Sequence, residues 1–247
     1  MSASTPLPDG SSRFDTTSWT LVFDAAGEQG DRSRQALAVL LDRYWFPLYA
    51  YLRRKGQEAA DAQDMTQAFF ARLLEKDTIA AADRDRGRFR TFLLTCFDNF
   101  CRNEWEKARA EKRGGGAAPV ALDFGAAESR YSLEPSHEAT PEREFERRWA
   151  LTVLDRAMAR LRAEFAADGR EEDFDLLRPY LTGELARGAA AEIAGAMRRS
   201  PGAVKVAIHR LRKRYGEALR AEVAETVLAG EDVDDEVESL LRALQPD

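Results

Sequence analysis

Two helical patterns meeting at a turn within Ala191–Tyr215 constrain this chain more than any other stretch. Ile193, Ala194 and Met197 recur three and four apart, the period of a short buried helix. Ser200 then offers a side-chain oxygen to the first free N–H groups of a second helix. Pro201 takes that helix's first position, where a missing N–H costs nothing. Val204, Ile208, Leu211 and Tyr215 follow at i, i+4, i+7 and i+11 and so face inward. The outer side is left to Gly202, Ala203, Lys205, Val206, His209, Arg210, Arg212 and Lys213, with Ser200 at its head. Small residues at the start and cations further along suit a recognition helix that enters a major groove and grips phosphates. A basic amphipathic helix merely solvated on its outer side would share part of this pattern. Cap, turn and basic face together favour DNA.

The chain's net charge of −6 argues on its face against nucleic acid, but the charge is unevenly spread. From Arg198 to Arg220 eight arginines and lysines stand against one glutamate. From Glu222 to Asp247 nine acidic residues stand against one arginine. Local charge decides binding, and the acidic end conceals the basic helix in the total. This juxtaposition raises a masking reading, in which the acidic end folds against the basic helix. The plainer reading is a solubilising tail that packs one apolar stripe.

Other classes find little support. Residues 1–13 are polar and lack the apolar core of a signal peptide, and no apolar run approaches a membrane span. With 32% charged and 44% hydrophobic residues over 247 positions, a soluble cytoplasmic protein is expected, without membrane association. Cys96 and Cys101 lie five apart in a helical segment and point to different faces, which suits small core residues rather than a disulfide or metal pair. The two histidines, His137 and His209, join no metal cluster, phosphate loop or nucleophile constellation. The expectation is a non-enzyme with no cofactor and no metal.

The periodicity predicts an all-α fold: two small helical domains joined by a flexible linker. Residues 1–30 form an N-terminal tail with a short helix from Ser18 to Ala26. Residues 31–113 form a first domain of helices. One carries Val39, Leu40, Tyr44, Leu48 and Leu52. The next, Asp61–Leu74, carries the stripe Met65, Phe69 and Leu73. The last, from Phe89 to about Lys112, carries Phe89, Phe92, Leu93, Cys96 and Phe100, with Asn103 or Trp105. Residues 114–140 open on three glycines and lack sustained periodicity, as a linker does. Thr140 and Pro141 restart a helix lined by Trp149, Val153, Leu154, Met158 and Leu161. A helix through Phe174–Leu181 and the helix-turn-helix complete the second domain, 141–220. An acidic C-terminal extension, 221–247, ends in a helix carrying Val233, Val237, Leu240, Leu241 and Leu244.

With both helical blocks placed, the chain resembles a bacterial RNA polymerase sigma factor of the extracytoplasmic-function type. Asp61-Ala-Gln-Asp-Met-Thr-Gln-Ala-Phe69 and Gly87-Arg-Phe-Arg-Thr-Phe-Leu-Leu94 resemble the family's region 2. Glu192-Ile-Ala through Arg214 resembles its region 4 helix-turn-helix. Tyr44–Arg54, Lys112-Arg-Gly-Gly-Gly116 and Pro141–Trp149 bring it closest to a longer-linker subset of that family. The resemblance implies a dissociable initiation subunit whose partners are bacterial core RNA polymerase and promoter DNA.

It implies that region 2 docks on the polymerase and binds the −10 element, and that region 4 reads the −35 element. The polymerase contact maps onto Asp61, Asp64 and Gln67, on the face opposite the apolar stripe. The −10 contact maps onto Arg84, Arg86, Arg88 and Arg90 with Arg102, Trp105 and Arg109, where arginines beside an aromatic can hold an unpaired strand. Phe89 and Phe92 read as core, and Trp105 stays open between core and base stacking. The −35 contact maps onto Ser200, Gly202, Ala203, Lys205, Val206, His209, Arg210, Arg212 and Lys213.

The linker passes a reach test. Promoter elements about 17 base pairs apart lie roughly 60 Å apart along the duplex, and about 27 extended residues span up to roughly 90 Å. Gln63 stands where the family usually carries an acid, and Ala207 where many relatives place arginine. An anti-sigma factor or a Ser/Thr kinase acting on Thr66 would be a further partner, since a phosphate there would supply negative charge beside Gln63. The competing reading is a stand-alone helix-turn-helix regulator binding an operator. It leaves the acidic helix and the arginine loop without a role.

Overall fold

The aromatic-rich sequence Tyr44–Leu52 has no polar side to give to water, and the structure places it at the centre of the molecule. In the computed structural model, which describes residues 31–75, 88–110, 128, 130, 131, 139–183, 186, 188–226 and 233–245, it lies in helix α1 (Asp31–Arg54). Tyr44, Phe46, Leu48, Tyr49, Ala50, Tyr51 and Leu52 are each 3% exposed or less. A helix buried on every side must be covered on every side. Helices α2 (Ala59–Glu75) and α3 (Phe89–Ala110) share its core on one flank, and α4 (Pro141–Ala167) packs along another. The short helix expected over Ser18–Ala26 lies outside the described residues, as does most of the expected linker.

The expected stripes of α2 and α3 hold at Phe69, Leu73, Phe89, Leu93 and Phe100 and miss at Met65, Phe92 and Cys96. On α2 the inward residues are Ala62, Thr66, Phe69, Phe70 and Leu73, and Met65 is only half-buried. Thr66 is fully buried, and its hydroxyl donates to the Ala62 carbonyl at 2.7 Å. This corrects the reading of Thr66 as a kinase site, because its oxygen points into the bundle. On α3 the inward residues are Phe89, Leu93, Phe97, Phe100 and Cys101, whereas Phe92 and Cys96 are half-buried and Asn103 is exposed. Phe97, absent from the expected stripe, is fully buried. Its ring meets Phe69 edge-on at 4.9 Å, within the range aromatic pairs favour.

Asp98, on the same helix, accepts hydrogen bonds from Tyr51 at 3.0 Å, from Lys55 and from Arg102. Burial pushes its carboxyl up, but the bonds from Lys55 and Tyr51 and the Lys55 charge outweigh burial and hold it below its ordinary value of 3.8. A lowered carboxyl contributes stability that is complete above that ordinary value and is lost as pH falls through the lowered one. Acid unfolding of Asp98→Asn should therefore show a smaller fall in stability below the ordinary aspartate value than wild type, read from thermal midpoints across pH.

Helix α4 starts as the sequence predicts. The Arg143 N–H donates to the Thr140 side chain at 3.2 Å, and Pro141 opens the first turn. Its side chains then serve two cores. Phe145, Trp149, Ala150, Val153 and Ala157 join the core of α1–α3. Leu161 and Phe165 join a second core with Phe174, Leu177, Ile193, Ala194, Val204, Ile208 and Leu211. That second core comes from α5 (Glu171–Leu177), a 3₁₀ turn (Arg178–Tyr180), α6 (Ala189–Met197) and α7 (Pro201–Ala224). The far half of α7, with Ala218, Leu219 and Val223, returns to the first core. So does Leu240 of the last helix, α8 (Val233–Ala243). The fold is all-α: the described elements are helices, with no strand among the described residues.

Candidate polymerase and nucleic-acid interfaces

The helix-turn-helix pattern is realised by α6 and α7. Helix α6 ends at Arg198, which adopts the left-handed conformation (φ 51°), and its N–H closes onto the Ala194 and Gly195 carbonyls. Ser200 caps α7, accepting the Ala203 N–H at 3.2 Å. Arg198 is the one non-glycine residue with positive φ among the described residues. Arg198→Gly should relieve that strain and raise stability by roughly 0.5 kcal/mol, after the loss of glycine's own chain entropy. The thermal midpoint reads this effect.

Val204, Ile208 and Leu211 are buried, and Tyr215 packs partly against both cores. Ser200, Gly202, Ala203, Lys205, Val206, His209, Arg210 and Lys213 are exposed, Val206 by 49%. Arg212 is also exposed, but its guanidinium is engaged. It donates to the Tyr180 carbonyl at 3.0 and 2.9 Å and to the Gly183 carbonyl at 2.6 Å. Arg212 thus ties the turn after α5 to α7 in this conformation, while its side chain remains on the exposed face. Lys213 lies 3.7 Å from Glu217, both well exposed, a pair of little energetic weight.

On α2, Asp61 and Asp64 are exposed and Gln67 is half-buried, so the two carboxylates head the helix on its outer side. Asp61, in the first turn, also suits the helix dipole, by a few tenths of a kcal/mol.

The arginines expected at the −10 contact divide. Arg84 and Arg86 lie outside the described residues, as does the Arg109 side chain. Arg102 is exposed and paired with Asp98. Trp105 is half-buried against the first core. Arg88 extends from just before α3, with its Nε 2.8 Å from Glu236 and its Nη1 donating to Ser239 at 2.9 Å.

Arg90 is 4% exposed, which corrects its placement on the surface. It donates to Glu146 at 2.7 Å and to Ser239 at 3.2 Å, pairs with Glu236, and lies 4.2 Å over the Trp149 ring. Burial lowers its pKa while Glu146 acts in the opposite sense. A desolvated guanidinium needs such partners.

Sequence reasoning missed the partners Glu146, Trp149, Glu236 and Ser239, because each sits on a helix distant along the chain. Of the two readings of the acidic end, masking of the recognition helix fails, and the plainer one, a tail packing an apolar stripe, holds at Leu240, Val233, Val237 and Leu244. Helix α8 does not cover the outer face of α7. It packs on α4 and on the far half of α7, where Asp234 pairs with Arg220 at 2.9 Å. Leu240 is buried and Val233, Val237 and Leu244 are partly so, but Leu241 is 50% exposed rather than in the stripe.

Among the described residues no group of acids, cysteines and histidines is placed to hold a metal ion, and no helix is long and apolar enough to cross a membrane. Comparison with curated proteins and with solved structures gave no match. A family model does match: Sigma-70 region 2, over residues 40–111. The matched span begins within α1, takes in α2 and closes just past α3, the bundle that carries the acidic helix and the arginines. The α1–α3 bundle therefore matches sigma-70 region 2, and that match supports a sigma-70 family factor of RNA polymerase.

Proposed function

We propose that the chain is a promoter-specific sigma factor of the extracytoplasmic-function type, acting in the cytoplasm. In this reading α2 docks on core polymerase through Asp61, Asp64 and Gln67. The arginines before and along α3 (Arg84, Arg86, Arg88, Arg102 and Arg109), with Trp105, hold the opened −10 element. Helix α7 is the region 4 recognition helix for the −35 element, through Ser200, Gly202, Ala203, Lys205, Val206, His209, Arg210 and Lys213. The observation that carries the reading is the pairing of a region 2 match with a separate helix-turn-helix whose second helix turns a small-then-basic face outward. Small residues at the head of that helix let the backbone approach base edges, and the cations beyond them meet phosphates.

The phosphate-contact part of this assignment predicts a salt signature. Each cation that neutralises a phosphate steepens the fall of log K with log salt by about 0.9 on duplex DNA. Lys205→Ala/Arg210→Ala/Lys213→Ala should flatten that slope by roughly 2 to 3 in fluorescence anisotropy on duplex DNA. A slope identical to wild type would take these cations out of the interface.

A further inference from the structure

Arg88 and Arg90 are held by one helix that the region 2 bundle does not itself contain. We propose that α8 is a built-in ligand of this arginine pair. Its Glu236 carboxylate and Ser239 hydroxyl occupy the place of a nucleic-acid phosphate, so that this part of the DNA surface opens only when α8 lifts away.

The contacts have the form of anion recognition. Glu236 is 3% exposed although it sits on a short acidic helix, and both of its neighbours in charge are guanidinium groups. Ser239, one turn on, accepts from both arginines, at 2.9 Å and 3.2 Å. Two arginines converging on one carboxylate and one hydroxyl make the charge-assisted set that they would offer a phosphate.

The hold on α8 is light. An isolated helix of eleven residues is not stable in water, and α8 has only Leu240 as a fully buried apolar anchor. Two of its ties near the helix ends are exposed: Asp234 with Arg220, and the Gln245 carbonyl with Arg143 at 3.2 Å. Apart from the arginine contacts themselves, one fully buried apolar anchor, four half-buried ones (Val233, Val237, Ala243 and Leu244) and exposed pairs near its ends place α8 toward the low-stability end of the structure, where elements open locally. Arg90 would stay with Glu146 and Trp149 when α8 leaves, whereas Arg88 would be released entirely. This inference rests on the reading of Arg88 as a DNA contact.

The test uses the full-length chain and a short fluorescent oligothymidylate, titrated at several salt concentrations. Glu236→Gln should bind about five-fold more tightly than wild type at low salt, with the log–log salt slope steeper by about 0.7 for the released arginine. Glu238→Gln makes the same change in net charge on the exposed side of the same helix, where Glu238 pairs with Arg242, and should leave affinity and slope at wild-type values. Ser239→Ala, a milder change, should give a gain between the two and decides the matter if Glu236→Gln loses its cooperative thermal transition. Equal behaviour of the Glu236 and Glu238 variants, or no gain by Ser239→Ala in that event, overturns the proposal. Core-polymerase binding by the wild type, measured alongside, separates the two levels. Retained binding without these gains removes α8 as a ligand and leaves the sigma reading in place. Loss of both removes the reading itself.

Discussion

Trp149→Ala is expected to cost about 3–5 kcal/mol, the range for removing a large aromatic from a packed core. Trp149 is 1% exposed on the half of α4 that joins the α1–α3 core, and Arg90 lies over its ring. The truncation therefore opens a cavity and strips one face from a buried guanidinium at once. For a domain whose whole stability lies at roughly 5–15 kcal/mol, such a loss is a large fraction. Trp149→Phe should be far milder. The indole N–H is buried without a hydrogen-bond partner among the described residues, so phenylalanine removes an unsatisfied donor while keeping most of the ring. Urea midpoints of the two variants check this. A loss below about 1 kcal/mol for the alanine variant would mean that α4 is not seated on α1 in solution.

The second large effect belongs to Glu222. Its side chain, 8% exposed on the far half of α7, faces Arg156 at 3.1 Å, Arg160 at 3.7 Å and the buried Arg43 at 3.8 Å. Arg43 comes from α1 and the other two from α4, so one carboxylate joins three helices. Glu222→Leu leaves these guanidinium groups facing an apolar side chain, and breaking a buried pair in this way typically costs about 3–5 kcal/mol. Arg43 also pairs with Glu225, which places the expected loss near the lower end, about 3 kcal/mol. Adding Arg43→Met should restore part of it, because the stranded charge is then gone. A double-mutant cycle on urea midpoints reads the coupling directly. Strictly additive losses would show that the two residues do not interact.

Local patterns were the legible part of this molecule. The cap at Thr140, the cap at Ser200 and the inward set Val204, Ile208 and Leu211 follow from short-range chemistry, and the structure has them where the pattern places them. The stripes of α2 and α3 were legible in part: Phe69, Leu73, Phe89, Leu93 and Phe100 are buried, whereas Met65, Phe92 and Cys96 are half-buried. In both helices apolar residues exceed what one face can hold, so several registers fit the same sequence and only the partner selects among them. Phe97 and Thr66 went inward for that reason.

Least legible were the contacts between distant segments. Nothing near Arg90 announces Glu146, Trp149 or Glu236, which lie 56 to 146 residues away along the chain. The sequence reading treats the two helical blocks as separate, and α4 and α7 add a shared core between them. The acidic end was legible as a tail that packs an apolar stripe, which Leu240 bears out, but not as the partner of the arginines at the head of α3.

The proposed function requires this chain to dock on core polymerase through α2. The most direct measurement is binding of the purified full-length protein to bacterial core RNA polymerase, comparing wild type with Asp61→Ala/Asp64→Ala. Both residues are exposed, so the double variant should keep its fold and circular dichroism. The account predicts a wild-type complex and at least about ten-fold weaker binding by the double variant, the loss of roughly 1.4 kcal/mol. A wild-type protein that forms no complex with core polymerase and instead protects a palindromic site as a dimer would contradict it.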